Sequence, residues 1–125
     1  MNEFRISQGE GRTRVMLSAQ WLGRDLVIYI YNENAHIGAI ALGEYDPESG
    51  RASTSVITRL GHKDDVVAQK AAYRVCKSTK RPVCVIAGIH VDRIYGTEID
   101  QTLINVEILV DRLIQSDFLS TVRMG

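Results

Sequence analysis

The chain has 125 residues, 45% of them hydrophobic, and its fifteen basic residues are balanced by fifteen acidic ones. That is enough for one domain, 1–125, with an apolar core of its own. A formal net charge of zero leaves no global field to draw in nucleic acid or an anionic membrane, so neither is expected as a partner. No stretch approaches the roughly 20 apolar residues of a membrane span. The opening MNEFRISQGEGR has early acids and no apolar signal region, so the expected location is the cytoplasm.

The first half reads as strands. From Arg12 to Trp21 the pattern alternates, placing Val15, Leu17, Ala19 and Trp21 on one face, and a Gly-Arg-Asp turn leads into LVIYIY, which is apolar on both faces and suits a central strand. Two further strands are expected over His36–Leu42 and Ala52–Thr58, joined by EYDPESGR, whose Asp-Pro and Ser-Gly pairs are turn signals. Residues 12–58 therefore form an antiparallel meander in this reading.

The period then changes from two to about 3.6. Asp64 or Asp65 is placed to cap a helix carrying Val67, Ala68, Ala71, Ala72 and Val75 on its apolar side, ending before KSTKR and Pro82. VCVIAGI follows as a strand buried on both faces. A second helix begins near Thr97, with Thr97 and Asp100 spaced as a capping box. Its seam runs through Ile99, Leu103, Val106, Val110 and Leu113, and Ile104, Ile108, Leu109 and Ile114 broaden it beyond what one sheet covers. A homo-oligomer follows as an expectation, and the tail FLSTVRMG shows neither cap nor period. The fold class is thus α+β: an antiparallel β meander followed by helix, strand, helix, the two helices packing on the sheet.

Tracing chain direction through these elements brings the chain's three histidines to one pole. His36 opens the strand after LVIYIY, His62 sits in the GHKDD turn before the first helix, and His90 closes the buried strand. The same pole gathers Asp64, Asp92 and two helix N-termini, whose unpaired N–H groups favour phosphate or carboxylate. Imidazoles there supply hydrogen bonds, protons or metal ligation. The small residue at Gly38 lets a ligand approach the backbone. The candidate ligand-binding set is therefore His36, Gly38, His62, Asp64, His90 and Asp92.

Other chemistries have less support in the residues. The histidines lack an HxxxH or HExxH pairing that would enforce metal convergence, so a metal is not expected. Cys76 and Cys84 have no CxxC spacing, fall at the opposite pole, and read as reduced core residues. No G-x-S-x-G elbow, phosphate loop or GxGxxG pattern is present, and no catalytic residue is assigned. Gly88 reads as a tight packing point, and the five tyrosines as core or interface residues. An alternative reading is a small enzyme, or a metal- or anion-binding protein, that uses His36, His62 and His90.

The segments GRDLVIYI, HIGAIALGEYD, RLGHKDDVVAQKAAYRVCKSTKRPVCVIAGIHVD and EIDQTLINVEILVDRLI resemble the LpdD-like family of prenylated-flavin chaperones, small proteins found beside UbiD-like decarboxylases. The likeness covers a core of about 11–114 and is densest in the three histidine segments. It implies an accessory role in maturation or prenylated-FMN loading of a UbiD-like hydroxybenzoate or gallate decarboxylase, with transient contact to prenylated FMN or FMN. It also implies a fold similar to that of proteasome-assembly chaperones. It carries no catalytic residues with it.

Overall fold

The structure, a computed structural model, describes residues 3–59, 64–90 and 95–120. Six strands form one sheet: β1 (Glu3–Gln8), β2 (Val15–Leu22), β3 (Asp25–Tyr31), β4 (Ala39–Asp46), β5 (Arg51–Thr58) and β6 (Val83–Gly88). Their order across the sheet is β1-β2-β3-β6-β4-β5. Helix α1 (Asp65–Thr79) lies between β5 and β6 in the chain, and α2 (Gly96–Gln115) and the short α3 (Asp117–Ser120) close it. The fold is α+β, with the succession of strands, helix, strand, helix expected from the periodicity.

The sheet is mostly antiparallel, with one parallel pair. β6 enters between β3 and β4, running parallel to β3 and antiparallel to β4. The four strands read from residues 12–58 therefore divide into a β2–β3 pair and a β4–β5 hairpin, joined by the strand made last. β1 adds an edge to β2 that the alternation starting at Arg12 does not include. β4 begins at Ala39, so His36 stands in the connection before the strand rather than on it.

One face of the sheet holds the core. Leu17, Ile30, Ala87 and Ala39 stand side by side in one rung, and all are fully buried. α1 packs on β4, β5 and β6, while α2 reaches β1 and β2. The α1 contact is close because both surfaces are small. Ala68, Ala71 and Ala72 face Ala39, Ala41 and Gly43, and a side chain at Gly43 would press on the Ala72 carbonyl and the Cys76 Cβ at 3.0 Å.

The helix ends differ in detail from the sequence reading. α1 runs through Lys77–Thr79 and stops at Lys80, whose left-handed backbone (φ 57°) lets its N–H reach the Cys76 carbonyl. At α2 the cap comes from Glu98, whose Oε1 accepts the Tyr95 N–H at 3.1 Å, instead of from Thr97 and Asp100. Arg12 donates to the same carboxylate and, as the larger influence, holds its pKa below the usual range. That support is present above the ordinary carboxylate range and fades as pH falls through the lowered value.

The α2 seam is also displaced. Thr102, Asn105, Val106, Leu109, Val110 and Leu113 are buried, whereas Ile99 and Leu103 are each 43% exposed. The first residues of the tail form α3, where Phe118 packs against both Phe4 and Trp21. Asn105 anchors α2 to the turn before β2, donating to the Thr13 carbonyl at 2.8 Å and accepting from Gln101 at 3.0 Å. Asn105→Leu removes that donor from a buried site and is expected to lower unfolding free energy by about 1–3 kcal/mol in urea titrations.

The opposite sheet face has no described helix over it. By register it carries Val27, Tyr29, Tyr31, Ile40, Leu42, Ile57, Cys84 and Ile86. Both cysteines are free, and burial pushes both thiols up, the Glu44 carboxylate adding to the effect at Cys76. No described helix is long and apolar enough to cross a membrane.

Candidate functional site

The parallel β3–β6 pair and the antiparallel β4 bring the end of β3, the end of β6 and the start of β4 to the same edge of the sheet. Asn32, His36, Asp64 and His90 converge there. Two other expected members, His62 and Asp92, lie outside the described residues.

Asn32 is 4% exposed and ties the connections together. Its Nδ2 donates to the His90 carbonyl at 2.8 Å, and its Oδ1 accepts the His90 N–H at 3.3 Å and the Asn34 N–H at 3.1 Å. Asn34 adds a second donor to the His90 carbonyl at 3.0 Å. The side-chain amide thus acts as one further rung between β3 and β6, meeting the need of buried backbone groups for partners.

His36 Nδ1 lies 2.9 Å from the Asn34 carbonyl, which only accepts, so Nδ1 carries a hydrogen. That fixes the ring with Nε2 facing Asp64 Oδ2 at 3.7 Å. The His90 ring stands edge-on to it, centroids 6.3 Å apart.

Asp64 occupies the N-cap position of α1, but its side chain does not cap the helix. Oδ1 instead accepts the Ile89 N–H at 3.0 Å, joining the helix start to the end of β6. Gly38 makes room for this carboxylate. A Cβ at Gly38 would collide with Asp64 Oδ2, and one at Gly88 would collide with the His36 carbonyl oxygen. The open side of Gly38 is therefore filled by Asp64, and Gly88 is the tight packing point its place in the sequence indicated.

Acids already occupy the helix starts at this pole. Asp64 and Asp65 sit at the α1 N-terminus and Glu98 in the first turn of α2, offsetting the positive dipole end that an anion would otherwise use. Among the described residues, one cation near this edge is Arg59, which donates from Nη1 to the Ile37 carbonyl at 2.9 Å and from its backbone N–H to the Gly38 carbonyl.

Beside His36, on the sheet face without helices, lies an open hollow of about 450 Å³ lined by Ser18, Tyr29, Tyr31, Ala35, Ile37 and Ile86 among others. Tyr29 and Tyr31 share this face because strand side chains alternate with a period of two. The spacing Tyr-x-Tyr in LVIYIY was the available signal for them. Ser18 lies across from Tyr29 on β2 and Ile86 across from it on β6. The hollow offers flat apolar walls, hydroxyl groups and one imidazole, a lining suited to a planar ring bearing polar edges. Among the described residues, no group of three or more His, Cys, Asp or Glu side chains is arranged to hold a metal ion.

Comparison with known proteins bears on this geometry. No curated protein matches the chain. A chain from the crystal structure of a chaperone complex for yeast 20S proteasome assembly superposes with a TM-score of 0.58 at 16% identity, covering 90% of this chain and 96% of that one. This is a likeness of fold. Residues 9–117 match the profile described as the prenylated flavin chaperone LpdD-like domain. The chain belongs to the LpdD-like prenylated flavin chaperone family.

Proposed function

We propose that this chain is a non-catalytic accessory protein that assists maturation, or prenylated-FMN loading, of a UbiD-like hydroxybenzoate or gallate decarboxylase, acting as a cytoplasmic homo-oligomer. Membership of a prenylated flavin chaperone family supports a chaperone role with a client enzyme. The observation that carries the reading to particular residues is the hollow at the histidine pole. A flavin mononucleotide presents a flat ring system and a phosphate. The ring matches Tyr29, Tyr31, Ile37 and Ile86 in kind, Ser18 and the tyrosine hydroxyls offer polar contacts to its edge, and Arg59 stands beside Ile37 for the phosphate. His62, His90 and Asp92 complete the proposed ligand-binding set with Gly38 and Asp64, the last two by setting the position of the His36 ring. Contact with the flavin is transient, since the cofactor is passed on.

The test is a calorimetric titration of the purified protein with FMN and with prenylated FMN. Saturable binding is expected, and it is lost in a folded variant with His36, His62 and His90 changed to Ala. Arg59→Ala is expected to weaken binding about tenfold, in keeping with about 1.4 kcal/mol for one charged contact, and to flatten its salt dependence. A folded wild type that binds neither flavin sinks direct cofactor handling. Co-expression with a UbiD-like decarboxylase addresses the client, with the flavin content of the purified enzyme rising when the accessory protein is present.

A further inference from the structure

Helices α1 and α2 lie side by side and run in the same direction, since Lys70 and Arg74 meet Glu107 and Arg74 also meets Asp111, one turn further on. Between them is a groove of about 290 Å³. Its floor is apolar, built from Val67 and Ala71 on α1 and from Val106 and Val110 on α2. The lips are apolar too: Val66 is 55% exposed, Ile104 is 51% exposed, and Leu103 stands with them. A helix that only covers a sheet carries polar residues away from its buried stripe, whereas α2 continues its apolar surface out over the groove, which accounts for the breadth of its sequence seam. Open apolar lips beside an apolar floor mark a contact surface. Toward the C-terminal ends of the helices the walls become charged and opposite in sign, with Lys70 and Arg74 on the α1 side and Glu107 and Asp111 on the α2 side.

We infer that this groove receives one amphipathic helix of the client enzyme, its apolar stripe against Val66, Leu103 and Ile104, its acidic side chains along α1 and its basic side chains along α2. The inference rests on the reading of the chain as a chaperone with a client, and it names the surface and the kind of segment that meet. Charge sets the chemistry of the occupant. The two walls differ in sign, and their heads keep open surface beyond the present ion pairs, the Lys70 side chain being 62% exposed and that of Asp111 51%. A helix with acids on one flank and bases on the other pairs with both walls, whereas the same helix turned end for end sets like charges together, so the walls also fix its direction. Shape argues against a second copy of the chain. A two-fold contact centred on the groove sets this surface against itself, concavity to concavity, and leaves the channel unfilled. A single helix is convex and supplies the ridge that the groove lacks. The groove lies on the helical side of the sheet and the hollow beside His36 on the other, so client and flavin do not compete for one surface.

The test is biolayer interferometry of the full chain against a purified UbiD-like decarboxylase, with variants that keep the wild-type far-UV circular dichroism spectrum. Leu103→Lys/Ile104→Lys alters two open side chains and is expected to weaken binding by about tenfold or more. Lys70→Glu reverses a charge on the α1 wall and is expected to weaken binding about threefold and to reduce its salt dependence. Leu22→Lys, an open apolar residue at the end of β2, is expected to bind as the wild type does. Photo-crosslinking from Leu103→p-benzoylphenylalanine reads the occupant directly and is expected to mark a helix of the decarboxylase that carries charges of both signs. A wild type that does not bind the decarboxylase overturns the client reading and this inference together. A groove pair that binds as tightly as wild type, or a crosslink to a strand or loop, overturns the groove while leaving the client standing.

Discussion

Gly88→Ala is expected to lower the unfolding free energy by about 3 kcal/mol, roughly 10 °C in midpoint for a domain of this size. The added methyl group would collide with the backbone carbonyl of His36. A flexible side chain could rotate away from such a contact, but a peptide group held on both sides cannot. His36 is fixed through Asn34, and Gly38 donates its N–H to the Ala87 carbonyl at 2.9 Å. Relief must come from moving the β4 entry away from the β6 exit, which opens the pole. Gly96→Ala is the control, since a Cβ there meets nothing within 4 Å, and its midpoint should stay within about 0.5 kcal/mol of wild type. Equal midpoints for the two variants in differential scanning calorimetry would show that the contact carries no energy.

The second large effect is a coupling between Gly38 and Asp64. Gly38→Ala alone drives Asp64 away from Ile89, stranding an N–H with no described alternative acceptor, and is expected to be destabilising by about 2–3 kcal/mol. Asp64→Ala alone loses the same hydrogen bond, at about 1–3 kcal/mol. Combined, the two changes should fall short of their sum by about 1–2 kcal/mol, because the second substitution removes the group that the first collides with. Some penalty persists, as the Ala87 carbonyl lies 3.0 Å from the added Cβ. Asp64→Asn keeps an oxygen for Ile89 and should stay within about 1 kcal/mol of wild type while removing the charge facing His36. Strict additivity in a urea-denaturation cycle would mean that Gly38 does not serve to admit Asp64.

The pole was legible because polarity along a chain is local. Each turn reverses direction, so His36, His90 and Asp64 follow from the alternation of strands, turns and helix once those elements are recognised. Which strands are neighbours is a non-local matter, and nothing in LVIYIY or VCVIAG says that one pairs in parallel with the other. Their apolar character on both faces identified central strands and left the partners open. Asp64 shows a different limit. At a helix start the residue type reads as a cap, and the rival acceptor role, binding Ile89 N–H across the fold, has no signature at short range. Tyr29 and Tyr31 read as packing residues in the sequence, where five scattered tyrosines conceal one pair with strand spacing. Glu98 went unrecognised as the α2 cap because Thr97 offered a commoner capping type one residue earlier.

The insertion of β6 between β3 and β4 also constrains how the chain is made. During synthesis, the β1–β3 unit and the β4–β5 hairpin emerge first, each with an unpaired inner edge of apolar strand. Neither edge is closed until residues 83–88 leave the ribosome with α1 already behind β5. The bridging strand is thus a late keystone. Its delay makes the domain close in one step, with long-range pairings formed together, and makes fragments ending before residue 88 the species most in need of protection from association.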